Sequence, residues 1–172
     1  MTSFTDPDFQ CGCRTGESSE LDENLEILRQ VPAFSGIPIE KLRVYAYLSR
    51  RICCREGAYL FHQGERDDRG YIIVSGKARL VRQYDDHTAF LETLKEGDFF
   101  GGLALLADIK RLFGARALTN LECLTLDRRS FQKLLMQFPE LAIKVLDAMI
   151  RRIARMEEKL LSNRCDDSCV NP

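Results

Sequence analysis

Short blocks of apolar positions, each cut by glycine or an acid, fill the middle of the chain, while stretches with apolar residues every three or four positions bracket it. The bracketing stretches read as helices. Leu21, Leu25 and Leu28 recur at helical spacing behind Ser19, a residue suited to capping, and acids crowd the first turn, so a helix is expected over 21–30 until Val31-Pro32 stops it. A second is expected from near Pro38 to about Ser49, with Ile39, Leu42 and Ala46 inward. From Arg51 the texture becomes that of strands, and glycines at 57, 64, 70, 76 and 97 separate runs that turn back repeatedly as antiparallel strands do. Strands resume at 114–118 and 121–127, a short helix is expected over 130–136, and Pro139 can open a longer one ending near Ser162.

In that last helix Ala142, Leu146, Met149, Ile153, Met156 and Leu160 alternate spacings of four and three. This is a heptad seam, with Leu146, Ile153 and Leu160 at one core position, Ala142, Met149 and Met156 at the other, and Arg152 and Lys159 flanking it. Such a stripe can also pack on the helix's own domain, but the strict 3.5 period favours a parallel homodimer through this helix, which is expected. The fold class that follows is mainly β with flanking helices: an antiparallel β-roll of double-stranded β-helix or jelly-roll type, with N-terminal helices and a long C-terminal one. Residues 1–19 lack periodicity and read as a tail, 20–163 as the domain with its dimerisation helix over about 139–163, and 164–172 as a short tail.

Composition narrows the function classes. With 25 Lys and Arg against 26 acids the net charge is −1, so no general attraction to nucleic acid or anionic membrane is expected, and any anion site must be local. The N-terminus carries acids and no apolar run, which points away from a secretory signal or a membrane span and toward the cytoplasm. The seven cysteines are an odd number in a chain long enough to build a core unaided, and favour free thiols over a disulfide framework.

One stretch, 99–118, reading FFGGLALLADIKRLFGARAL, suggests that local site. Gly101 and Gly102 allow a close backbone approach, the apolar run after them can form a short helix with unpaired leading amides, and Arg111 follows ten residues after Gly101. Fixed amides and a guanidinium favour a phosphate.

The order of parts resembles the cyclic nucleotide-binding domain of the catabolite activator family and of protein kinase A regulatory subunits. Gly57 with Leu60, Gly64 before Glu65, Tyr71 and Ile73, Gly76 with Ala78, the Glu96-Gly97-Asp98 turn, and Phe100-Gly101 through Leu105 fall at the family's spacing, over about residues 21 to 163. The resemblance implies that Arg111 binds a cyclic phosphate ringed by the amides of Gly102, Leu103, Ala104 and Leu112, with Gly101 against the ribose. Three positions depart from the family pattern. Gly102 stands where the family usually has a Glu that accepts from the ribose 2′-hydroxyl, a loss of about 1.5–3 kcal/mol, which is about tenfold or more in affinity. Leu112 stands where a small or hydroxylated residue is common, and Gly114 where Thr is frequent. Alignment through Phe131 and Pro139 brings Met156 and Glu157, with Ile153, toward the base, which leaves cAMP and cGMP both open.

The expected function is thus a cyclic nucleotide sensor that passes its signal through the last helix to another protein. The alternatives are a dimeric interaction scaffold with a degenerate nucleotide site, and a thiol or metal sensor built on Cys11, Cys13, Cys165 and Cys169. Those cysteines do not match the iron–sulfur spacing of the superfamily, and no metal or other cofactor is expected. His62 and His87 have no nucleophile or carboxylate arrangement around them, so no enzyme is expected. The chain ends before a helix-turn-helix unit could begin, and Arg151, Arg152 and Arg155 read as a solvated or acid-paired face, so no DNA binding is expected.

Overall fold

The computed structural model describes residues 17–168. Helix α1 (Glu17–Gln30) starts earlier than the Ser19 cap predicts, and α2 (Ile39–Leu48) follows a single 3-10 turn at Pro32–Phe34. Pro38 caps α2 rather than opening it. Leu42, Tyr45 and Ala46 form its buried stripe, while Ile39, expected inward, is 47% exposed because the first turn projects past the core.

Eight strands then wind into a roll: β1 (Arg50–Cys54), β2 (Tyr59–Phe61), β3 (Arg69–Ser75), β4 (Lys77–Gln83), β5 (Thr88–Lys95), β6 (Phe99–Phe100), β7 (Gly114–Ala117) and β8 (Leu121–Asp127). The outermost strands pair with each other and the innermost likewise, β1 with β8, β2 with β7, β3 with β6 and β4 with β5, all antiparallel. This yields two four-stranded sheets, ordered β1-β8-β3-β6 and β2-β7-β4-β5, the jelly-roll type of roll expected from the spacing of turns. Strands β3 and β8, between the two sides of the sheet, carry continuous buried runs at 70–73 and 123–126, while others alternate. In β4, Ala78 and Leu80 are fully buried while Lys77 is exposed and Arg79 only half-buried. Cys54 is in the core and its neighbour Cys53 half-buried, as a strand requires.

The short helix α3 (Leu103–Leu106) is inserted between β6 and β7. Helices α4 (Arg128–Gln137) and α5 (Glu140–Ser168) close the chain. Asp127 caps α4 by accepting from the amide and hydroxyl of Ser130 at 2.8 and 2.9 Å. With no Gly or Pro between Pro139 and Pro172 to break it, α5 runs past the expected end near Ser162. Cys11, Cys13 and Cys169 and the side chains of Lys159, Leu160 and Cys165 lie outside the described residues.

Two cores result. One, with Leu28, Phe34, Leu105, Phe131, Leu134, Leu141, Val145 and Met149, lies between the helices and the β1-β8-β3-β6 sheet. The other fills the roll, with Phe61, Tyr71, Leu80, Phe100, Cys123 and, from α5, Met156. The heptad seam is therefore divided. Met149 and Met156 are 5% and 7% exposed within their own domain, Arg152 is buried at 8% instead of flanking an interface, and Leu146 faces outward beside exposed Ile143 and Ile150.

Candidate ligand-binding site

Gly101 opens the site because nothing else fits there. Its φ is +76°, and a Cβ would meet the Arg111 Nη1 at 2.8 Å and the Arg69 carbonyl oxygen at 3.2 Å. Gly102 has ordinary helical dihedrals, so its requirement is steric: a Cβ would sit 3.0 Å from the Phe99 ring and 3.1 Å from the Met149 sulfur. The missing side chain at 102 is the space into which α5 packs.

Arg111 is 6% exposed and its guanidinium is closely held. Nη1 donates to the Gly101 carbonyl at 3.0 Å, and Nη2 donates to Asp67 at 2.6 Å and to the Arg69 carbonyl at 2.5 Å. The group lies over the Phe61 ring, 4.1 Å from its centroid. Its Nε is buried with no hydrogen-bond partner among the described residues. A buried unpaired donor costs about 1–3 kcal/mol, so an acceptor that reaches Nε is favoured by that amount.

Asp67 anchors this arrangement. It pairs with Arg111, accepts from Arg69 Nε at 2.9 Å and from the Tyr71 hydroxyl at 2.6 Å. Burial alone would raise its carboxyl, but the Arg111 charge, the Tyr71 hydroxyl and Arg69 hold it below the usual carboxylate range. Burial, aided by the Asp67 charge, pushes the Tyr71 phenol well above its ordinary value. The segment carrying Asp67 is joined to the end of the 101–111 stretch: Gly64 N–H donates to the Arg111 carbonyl, Arg111 N–H donates to the Glu65 carbonyl, and Arg66 forms an antiparallel β-bridge with Lys110.

Helix α5 forms the opposite wall. Met149, Arg152, Ile153 and Met156 line the pocket with Gly101, Gly102, Leu103, Ala104, Arg111 and Leu112, leaving about 30 Å³ free. That is room for a water or two and not for a nucleotide. Arg152 donates to the Phe99 carbonyl at 2.6 Å and lies 3.1 Å from Glu92. Burial lowers its pKa, with the Glu92 charge opposing. Arg155 also faces Glu92, at 3.8 Å, and Arg151 pairs with Asp147 at 2.8 Å, so the three arginines are acid-paired.

Eight of the nine residues singled out in the sequence thus meet at one pocket. Glu157 is exposed and is not among the lining residues, because it follows Met156 by one position and turns to the solvent side of α5. Asp67 is passed over in the sequence, and Met149 and Arg152, read there as seam and flank of a dimer helix, line the pocket instead. The buried stripe Val145, Met149, Arg152, Met156 carries a signal for two of them, and Asp67 carries none.

A family model for the cyclic nucleotide-binding domain matches residues 51–138. The chain belongs to the cyclic nucleotide-binding domain family. Among curated relatives of this family, the cGMP-dependent protein kinase isozyme 1 of Drosophila melanogaster is 31% identical over 138 residues, 78% of this chain and 18% of the kinase. A CRP-like cAMP-activated global transcriptional regulator of Mycobacterium tuberculosis is 27% identical over 136 residues, 78% of this chain and 61% of that protein. The chain therefore spans less than two thirds of either relative. The crystal structure of the Thermus thermophilus catabolite activator protein is 30% identical with a TM-score of 0.67, covering 76% of this chain and 63% of that one. The matched part of the kinase is too short to be the whole enzyme, and in this family the domain is a regulatory module. No helix among the described residues is long and apolar enough to cross a membrane, and none of their His, Cys, Asp and Glu side chains form a group of three or more able to hold a metal.

Proposed function

We propose that this domain is a sensor that binds cAMP or cGMP, with the cyclic phosphate on the Gly102, Leu103, Ala104 and Leu112 amides and on Arg111, and with Ile153 and Met156 near the base. The observation that carries this reading is the unpartnered Arg111 Nε, fixed beside Gly101 by Asp67. The names of the relatives, one cGMP-dependent and one cAMP-activated, support the ligand class and leave the base open.

The ligand is larger than the free space, so binding requires α5 to yield. In this mechanism the closed arrangement, with Arg152 on Phe99 and Met156 in the roll, is in equilibrium with an open one that the nucleotide selects. The displaced helix carries the signal to a downstream cytoplasmic protein. The outward face of α5, with Ile143, Leu146 and Ile150, is the surface through which two copies pair. The chain does no catalysis and no DNA binding of its own in this reading.

Calorimetric titration with cAMP and cGMP, on the wild type and on Arg111→Ala/Asp67→Asn, tests it. The double substitution removes the phosphate contact without stranding the buried carboxylate. Binding by the wild type and its loss in the variant are expected. No binding of either nucleotide at millimolar concentration to the wild type overturns the sensor reading and leaves the closed pocket as a scaffold feature.

A further inference from the structure

The outer face of the β2-β7-β4-β5 sheet, turned away from the interior of the roll, carries a charge pattern that nucleotide binding leaves unused. Ala78 and Leu80 of β4 are fully buried in the roll, so alternation turns Lys77, Arg79 and Val81 outward. Their cross-strand partners are of the same kind: Lys77 is opposite Lys95 of β5, Arg79 is opposite Arg116 of β7, and Val81 is opposite Phe90 of β5. Like charges set directly opposite each other destabilise a sheet. No carboxylate offsets them, since none of these four cations takes part in an ion pair among the described residues.

Arg79 and Arg116 are held on aromatic rings instead. Arg79 lies 4.9 Å from the Phe90 centroid, and Arg116 lies 5.9 Å from that of Tyr59 while its Nε donates to the Gly57 carbonyl. Guanidinium groups seated in this way keep N–H groups for a carboxylate. Tyr59, Arg79, Val81, Phe90 and Arg116 line an open groove of about 490 Å³, in which Phe90 is 61% exposed and Glu56 is the one acidic lining residue.

Along β4 the face thus reads cation pair, cation pair, apolar pair, at steps of about 6.7 Å, the repeat of alternate residues in an extended chain. We propose that this face docks an extended acidic segment of a partner protein. Carboxylates at two alternate positions meet Lys77 with Lys95 and Arg79 with Arg116, and an apolar residue two positions further on lies against Phe90. Single-stranded nucleic acid suits the face less well. Tyr59 already stacks on His62 at 4.3 Å and Phe90 carries Arg79, so the rings that nucleobases would use are engaged, and the whole chain has a net charge of −1. The surface is separate from the nucleotide site, and the proposal is independent of ligand binding there.

Fluorescence anisotropy on the full chain tests it with labelled probes. These are a peptide with Glu, Glu and Leu at alternate positions spaced by Ser, made in both sequence directions, the same peptides with Gln for Glu, and a short oligothymidylate. The acidic peptide is expected to bind in at least one direction, about fivefold or more tightly than its Gln form, and to weaken about fivefold in Arg79→Gln/Arg116→Gln. Lys77→Gln/Lys95→Gln leaves the aromatic contacts untouched and is expected to weaken it about threefold. Arg129→Gln/Lys133→Gln removes the same charge from exposed positions of α4 and is expected to change nothing. No binding of the acidic peptide, equal binding of its Gln form, an equal loss in the α4 variant, or tighter binding of the oligothymidylate overturns the proposal. So does self-association in sedimentation that disappears in Arg79→Gln/Arg116→Gln and persists in the α4 variant, because the occupant is then a second copy of the chain.

Discussion

Asp67 is bound to two arginines and a tyrosine in a space that excludes water, and its charge state sets how firmly Arg111 is held. Its carboxyl is depressed, so the stability it contributes is fully present above the ordinary carboxylate pKa of about 3.9 and is lost as pH falls through its lower folded value. Acid titration followed by circular dichroism is therefore expected to show a shallower fall in stability below about pH 4 for Asp67→Asn than for the wild type. Arg111→Ala alone removes one partner of a buried pair and is expected to cost about 3 kcal/mol in urea unfolding, with much of this recovered when Asp67→Asn is added. Gly101→Ala is expected to cost about 1–2 kcal/mol from the left-handed backbone alone, plus whatever the 2.8 Å approach to Arg111 adds, and to weaken nucleotide binding in the same titration.

At the scale of elements, α5 is the part on which the proposed mechanism turns. Arg152→Met removes the bond to Phe99 and leaves a side chain of similar reach, so the closed helix is weakened more than the roll. Since a fraction of the binding energy goes into opening, this variant is expected to bind its nucleotide several-fold more tightly than the wild type, read by the same calorimetry. Leu146→Glu with Ile150→Glu charges the outward face without touching either core, and sedimentation is expected to find the wild type self-associated, as proposed, and this variant monomeric. These two faces show how far the pattern of the chain could be read. The strand-and-glycine rhythm discloses the roll, and Gly101 through Arg111 discloses one wall of the pocket, because turns and close approaches demand particular residues. The heptad in α5 is real as a pattern, yet a 3.5-residue stripe records only that a face is buried. Met149 and Met156 satisfy that stripe by packing on their own domain, and the burial of Arg152 depends on Phe99 and Glu92, which are remote in sequence. Asp67 was illegible for the same reason, since its partner Arg111 lies 44 positions away.

For the whole molecule, α5 is pinned in two separate interiors, Met149 in the helical core and Met156 in the roll, with Arg152 between them. The helix does not have to leave as a rigid rod. Its C-terminal half can peel from the roll, withdrawing Met156 and then Arg152, while Leu141, Val145 and Met149 remain seated as a pivot. In the proposed mechanism an opening of this kind precedes ligand entry and proceeds at its own rate. Stopped-flow mixing with excess nucleotide is therefore expected to give an observed rate that levels off as ligand concentration rises, at a plateau equal to the rate of peeling. A rate that climbs linearly without limit would instead mean that the ligand reaches Arg111 with both anchors still in place.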